Sequence, residues 1–293
     1  MNKQIHGRIV KGIGGFYYVR PSDSLSLIEC RARGIFRHQR IKPVVGDYVE
    51  VTEKAGDGPA ISKIEERRNV FVRPPVANVD VALITFAAAE PAPNFLLLDK
   101  LLVASELHNV APIICLTKTD LADAKTIEAI MTIYAKTPYP VICLEHANDA
   151  GVQQISEQIA GKTAFLAGPS GVGKSTLANA LCQSSMQTGD ISQKLRRGKH
   201  TTRHVELLDL ANGGYLLDTP GFSSFKLDDA VEASELQDYF PEFEIGSCKF
   251  SSCVHQSEPG CAVKAQLASD QIAKSRYDNY LYLLEELKNR RCF

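Results

Sequence analysis

The sequence predicts an α/β chain in which a parallel-sheet core over residues 70–226 follows a small β-barrel over 1–69 and precedes a mainly helical, cysteine-containing module over 227–293. Three observations carry this. Residues 1–69 hold short apolar runs broken by glycine turns, with no good helix pattern. Residues 70–226 alternate buried-type strands with amphipathic helices, which calls for a parallel sheet covered on both faces. Past about residue 226 the strands stop, and three of the eight cysteines fall between 248 and 261 with a histidine among them.

In the first segment "GRIVKGIGGFYYVR" reads as strand, glycine turn and strand, and "LSLIECRA", "GDYVEVT" and "PAISKIEER" as further strands. An OB-like closed barrel accommodates them. Gly12, Gly14 and Gly15 are not a dinucleotide loop, because no helix follows. Charge is uneven along the chain: residues 1–73 have 14 Lys/Arg against 8 Asp/Glu, while the remainder has 19 against 26. The stretch "RARGIFRHQRIK" (31–42) carries Arg31, Arg33, Arg37, Arg40 and Lys42 around Phe36, with no acid. A solvated loop is the plain explanation, and a nucleic-acid surface competes with it.

"NVFVRPP" (69–75) reads as a linker, because paired prolines resist both helix and central strand. After it, "VDVALITFA", "APIICLT", "YPVICLE" and "KTAFLAG" are strands, separated by helices in "NFLLLDKLLVASELHN", "AKTIEAIMTIYAK" and "GVQQISEQIAG". The helix "GKSTLANALC" follows the last of these strands, and "HVELLDLANGGYLLDTPG" closes the core as a hairpin. Cys115 and Cys143 lie in apolar runs and read as small core residues.

"GPSGVGKS" (168–175) fits G-x-x-x-x-G-K-[ST] between a strand and a helix, the context a phosphate loop requires. Gly168, Pro169, Ser170, Gly171, Val172, Gly173, Lys174, Ser175 and Thr176 form the candidate phosphate site. The glycines let backbone N–H groups turn inward, Lys174 reaches the terminal phosphates, and the Ser175 hydroxyl suits Mg²⁺. Asp218-Thr-Pro-Gly221 ends a strand 44 residues after Lys174. Asp218 suits the Mg²⁺ shell and the Gly221 amide a γ-phosphate, while Thr201 or Thr202 of "GKHTTR" offers the hydroxyl that a switch loop places on Mg²⁺.

The base is read from Thr117, Lys118, Thr119 and Asp120. A carboxylate at Asp120 has two acceptors for guanine N1–H and N2–H₂, a donor pair adenine lacks. The Lys118 stem can lie along the ring. Thr117 stands where Asn is usual, so it keeps a hydroxyl and loses the amide that Asn would offer the base and the phosphate loop. These motifs run in the order base signature, phosphate loop, switch threonines, Asp-x-x-Gly: a circular permutation of an ordinary P-loop GTPase. Joining and reopening nearby termini produces such an order without altering the fold.

Cys248, Cys253, His255 and Cys261, spaced C-x₄-C-x-H-x₅-C, supply a closed tetrahedral set for one structural Zn²⁺. The module around them is expected to have little core of its own. A helix is expected over 264–290, its apolar stripe formed by Tyr277, Tyr280, Leu281, Leu284 and Leu287.

A basic barrel, a permuted GTPase core and this zinc spacing together resemble the RsgA (YjeQ/YloQ) family, bacterial GTPases of late small-subunit maturation. The resemblance covers nearly the whole chain. It implies ribosome-stimulated hydrolysis of GTP to GDP, with the outer domains gripping the small ribosomal subunit and its rRNA. His200 matches the family's switch histidine and is carried over as a candidate for positioning water, a surface imidazole being the competing reading. Phe222 stands where Ras-like enzymes have a water-positioning Gln. Glu145-His146 replaces a frequent Ser-Ala in the second base loop.

The chain has no apolar run of membrane-spanning length and no signal-peptide core at its start. A cytoplasmic monomer is expected, with GTP or GDP, Mg²⁺ and one Zn²⁺ as its ligands. Two rival functions remain: an ATP-using P-loop enzyme, against which Asp120 speaks, and an RNA-binding regulator that uses GTP as a switch with little hydrolysis.

Overall fold

The computed structural model describes residues 3–54, 58–72, 74–145, 150–183, 205–218 and 231–290. These fall into two compact units, one within 1–81, 155–166 and 176–223, the other within 82–154, 167–175 and 224–293.

The first unit opens with strands β1 Lys3–Ile13, β2 Phe16–Pro21 and β3 Ile28–Ala32, a one-turn helix α1 Ile35–His38, and strands β4 Tyr48–Lys54 and β5 Gly58–Ile64. Their order is β1-β2-β3-β5-β4, and β4 pairs back to β1, so the sheet closes as the five-stranded barrel the sequence predicts. β1 serves two partners: Lys3–Arg8 pairs with β4, and Gly7–Ile13 with β2. The overlap needs a close approach at Gly7, where a Cβ would lie 2.4 Å from the Arg20 carbonyl oxygen. Ile9, Val19, Val49, Val51 and Ile61 fill the interior with no solvent exposure. Gly14 and Gly15, both at positive φ, make the turn between β1 and β2. Phe36 is also buried, among the residues that line a cleft with Arg31, Arg33, Arg40 and Lys42.

The expected linker is partly a hairpin. Short strands β6 Val70–Phe71 and β7 Val76–Ala77 pair antiparallel, leaving the prolines to the turn. Its base is fixed by side chains. Asn69 Nδ2 donates to the Val79 carbonyl, and Asn69 Oδ1 accepts from the Val79 N–H. Fully buried Asp47 accepts from both Arg67 nitrogens at 2.7 and 2.8 Å and from the Val44 N–H.

The core then runs β8 Val81–Ala87, α2 Phe95–Leu107, β9 Ala111–Thr117, α3 Ala124–Tyr134, β10 Val141–Leu144, α4 Ala150–Gln158, β11 Thr163–Ala167, α5 Lys174–Gln183, β12 Glu206–Asp209 and β13 Tyr215–Asp218. In the second unit β9 lies between β8 and β10, with β10 parallel to it. Every residue of β8 is buried, as a strand covered on both faces requires. In the first unit β11 runs parallel to β13, and β12 returns antiparallel as the expected hairpin. β12 also meets the barrel, where Lys11 pairs with Glu206 in register and by a 3.3 Å ion pair. Cys115 is buried as expected, but Cys143 is exposed.

The single helix expected over 264–290 is two, α6 Ala262–Ala268 and α7 Lys274–Arg290. Asp270, at φ 59°, turns the chain between them. The module has more core than its length suggests, because it borrows one. Phe240, Phe243, Val263, Tyr280, Leu283, Leu284 and Leu287 are buried in a cluster with Val103 of α2, and Leu96 and Leu107 of that helix pack against it.

Candidate functional site

β11 leads directly into the glycine loop, whose Gly168, Gly171 and Gly173 have φ of 134°, 81° and 95°. Gly168 has a second reason to be glycine: a Cβ there would lie 2.2 Å from the Thr85 carbonyl oxygen. The loop thus winds tightly enough for α5 to begin at Lys174. Lys174 Nζ donates to the carbonyls of Gly168 (2.8 Å) and Pro169 (2.6 Å), so the ammonium already spans the loop mouth. Burial holds its pKa below the ordinary lysine value. Ser170, Ser175 and Thr176 are exposed, and Val172 is buried beneath the loop.

β9 ends at Thr117, and this residue carries the connection between base signature and phosphate loop. Its hydroxyl lies 2.7 Å from the Val172 carbonyl oxygen and 3.3 Å from that of Phe86. One O–H proton serves the shorter contact well. Thr117 therefore keeps the loop link that substitution of Asn put in question. Lys118 adopts a left-handed conformation, φ 55° and ψ 37°, and its Nζ donates to the Glu90 carbonyl. Thr119, Asp120 and Leu121 form a 3₁₀ turn, with Thr119 buried and Asp120 exposed. Asp120 thus follows the strand by a turn and stands exposed.

Asp218 closes β13. His200, Thr201, Thr202 and Gly221 lie outside the described residues, as do Phe222 and His146.

The Cys/His set converges. His255 Nδ1 lies 3.6, 3.4 and 3.3 Å from the sulfurs of Cys248, Cys253 and Cys261, and all four donor atoms fall within 4.8 Å of one another. Metal bonds of about 2.3 Å to sulfur and 2.0–2.1 Å to nitrogen, at tetrahedral angles, put S and N about 3.6 Å apart. The donor set and its spacing fit zinc. His255 Nε2 is 2.6 Å from Gln237 Oε1, which orients the ring with Nδ1 inward. Tyr277 and Tyr280 hydroxyls donate to the carbonyls of His255 and Val254. The Glu258 carboxylate takes the N–H groups of Val254, Gln256 and Ser257, each at 2.9 Å. Burial pushes the Cys253 thiol up to about 12, so metal uptake there would release its proton.

On the barrel, a cleft of about 550 Å³ is lined by Arg31, Arg33, Arg40, Lys42 and Tyr17, with no carboxylate among its lining residues. The basic run thus forms one wall. Arg33 is held by Thr52 Oγ1 at 2.6 Å, and Arg31 lies over the Phe16 ring at 4.6 Å.

Family comparison agrees with this layout. The RsgA N-terminal domain model matches residues 6–60, and the RsgA GTPase model matches residues 64–228. The chain belongs to the RsgA GTPase family. Among RsgA relatives, the small ribosomal subunit biogenesis GTPase RsgA of Alkaliphilus metalliredigens is 44% identical over 290 residues, covering 97% of this chain and 98% of that protein. The protein of the same name from Caldanaerobacter subterraneus subsp. tengcongensis is 45% identical over 295 residues, with 98% and 97% covered. The crystal structure of YjeQ from Thermotoga maritima superposes with a TM-score of 0.85 at 33% identity, covering 97% of this chain and 99% of that one. YloQ, described as a circularly permuted GTPase, gives 0.83 at 36% identity, with 98% and 96% covered. This RsgA chain accordingly has the permuted GTPase fold, and the motif order seen in its sequence is the family's.

One buried arrangement of this chain was not legible in its sequence. Arg276 of α7 is fully buried and reaches Asp99 of α2 and Glu242, each at 2.8 Å. Asp99 also accepts from Tyr134 at the end of α3 and from Asn279. Burial alone would lower the Arg276 pKa, and the two carboxylates more than offset it, leaving it raised. A lone Arg beside Tyr277 gives no sequence signal for this. Its partners lie 34 and 177 residues away.

Proposed function

We propose that this chain is a Mg²⁺-dependent GTPase that binds the small ribosomal subunit and its rRNA late in assembly and hydrolyses GTP to GDP and phosphate there. The observation that carries the reading is the Thr117–Val172 hydrogen bond. It couples the strand bearing the guanine signature to the phosphate loop, in the fold and family of GTPases.

Each residue has a role in this reading. The glycine loop from Gly168 to Gly173 turns backbone N–H groups towards phosphate oxygens. Lys174 exchanges its two carbonyl partners for phosphate oxygens as nucleotide enters, so it is aligned before binding. Asp120, exposed on its turn, is free to accept from guanine N1–H and N2–H₂. Lys118, tied back to the Glu90 carbonyl, lays its stem along the base. Ser175, with Thr201 or Thr202 and Asp218, would hold Mg²⁺, which neutralises charge developing on the phosphates. The Gly221 amide is assigned to the γ-phosphate and His200 to the attacking water. Cys248, Cys253, His255 and Cys261 hold one structural Zn²⁺, and the basic cleft on the barrel takes rRNA. The protein works as a cytoplasmic monomer. Among the described residues no helix is long and apolar enough to cross a membrane.

Steady-state hydrolysis of GTP and ATP, with and without purified small subunits, tests the proposal. The expected result is slow GTP turnover alone, acceleration by subunits of up to about 10³-fold or more, and little ATP turnover. Equal use of both nucleotides, or no response to subunits, would remove it.

A further inference from the structure

The basic run and the nucleotide motifs leave one built feature of the barrel unexplained. Arg8 of β1 stands directly opposite Arg20 of β2 in the antiparallel register, and Arg8 also pairs with Tyr48 of β4. Like charges directly opposite one another destabilise a sheet. Both arginines and Tyr48 line a cleft of about 520 Å³, whose far side is formed by Gly161 and Tyr215 of the same compact unit. That volume is within the usual range for small-molecule sites.

Arg8 is only 7% exposed. Its Nε and Nη2 donate to the carbonyls of Gly46 and Asn78, and its guanidinium lies 4.9 Å from the Tyr48 ring centre and 5.1 Å from that of Tyr215. No carboxylate among the described residues forms an ion pair or hydrogen bond with it. The nearby Asp80 is engaged by Arg68 at 2.5 Å and by the Thr163 N–H at 2.8 Å. Arg20 gives one nitrogen to Asp209 at 2.8 Å, while its Nε is buried and has no hydrogen-bond partner among the described residues. Two guanidinium groups thus line one cleft whose described lining holds a single carboxylate. Guanidinium groups match phosphate oxygens. The described lining also includes Ser22 and Ser24, and its one carboxylate belongs to exposed Asp23. Tyr48, 40% exposed, offers a ring on which a base can stack.

We propose that this cleft is a second nucleotide-recognition site, in which Arg8 and Arg20 hold a phosphate group and Tyr48 the attached base. It is separate from the phosphate loop and from the cleft lined by Arg31 and Arg40, with which it shares no residue. The phosphate can belong to a free ribonucleotide or to an RNA strand, and the test separates them.

Arginine Nε–H resonances are followed by NMR on the whole chain saturated with GDP and Mg²⁺, so that the phosphate loop is filled. Inorganic phosphate, uridine 5′-monophosphate and hexauridylate are titrated separately. The expected result is a saturable shift of the Arg20 signal, with the monophosphate binding more tightly than phosphate alone. Hexauridylate binding more tightly still identifies an RNA strand as the occupant; equal affinity identifies a free nucleotide. Arg20→Gln should weaken binding, read from backbone amides around Gly7, by about ten- to a hundredfold. Arg20→Lys keeps the charge near Asp209 but loses the fork, and should stay folded with weakened binding. GTP hydrolysis by the free protein should be unchanged in both. The proposal falls if none of the three probes produces a saturable shift, or if Arg20→Gln binds as the parent does. It also falls if phosphate alone binds as tightly as the monophosphate.

Discussion

Thr117 shows how one side chain decides between two readings of a motif. By sequence, its departure from Asn loosens the contact between base signature and loop. In the fold, its hydroxyl reaches the Val172 carbonyl at 2.7 Å and restores that contact. Thr117→Val keeps the shape and leaves a buried carbonyl unsatisfied, a cost of about 1–3 kcal/mol. GDP and GTP affinity should fall by about ten- to a hundredfold while the preference over ADP and ATP persists, measured by calorimetric titration. Asp120 should behave in the opposite way. Asp120→Asn should shift preference from GTP towards xanthosine triphosphate, whose ring presents an acceptor where guanine has a donor, with the phosphate contacts intact. Competition between the two nucleotides for the variant reads this directly. The motif that holds both residues was legible from spacing alone. The Thr117 partner was not, because Val172 is 55 residues away.

At the scale of elements, the cysteine module has a packing support that its sequence does not suggest. Four ligands in fourteen residues imply a zinc-nucleated fold, and structural zinc contributes on the order of 10 kcal/mol to such modules. Here α7 also packs against α2, with Val103 in the shared core, and Arg276 binds Asp99 and Glu242 with its side chain 1% exposed. Breaking such a buried pair costs about 3–5 kcal/mol, because a charge is left uncompensated. Zinc removal, or Cys261→Ser, should therefore abolish hydrogen-exchange protection over residues 248–261 while α7 stays protected. Loss of protection throughout α7 would show that metal, not the α2 contact, holds that helix. The stripe of α7 was legible from its helical period. The break at Asp270 was not, since "ASDQIA" holds neither proline nor glycine and one left-handed residue ends α6.

For the whole molecule, charge is divided along the chain, and four cations of the barrel line one cleft with no carboxylate among its described lining residues. Each phosphate contact contributes about 0.7 to the log–log salt slope of single-strand binding. Replacing Arg31, Arg33, Arg40 and Lys42 together by Ala should lower the slope for a single-stranded RNA by about 2–3, at unchanged GTP hydrolysis by the free protein. A filter-binding series over salt concentration measures it, and an unchanged slope would place the RNA elsewhere. The sequence by itself determined the barrel, the alternating core, the permuted motif order and the four-residue cysteine and histidine set. Each of these is a local pattern: a period, a turn residue or a short spacing. The tertiary structure alone decided that Thr117 is tied to Val172, that Arg276 fastens the last helix to α2, and that Arg8 and Arg20 face a common cleft. Those are pairings between distant residues, set by how strands register and helices pack, and no local pattern encodes them.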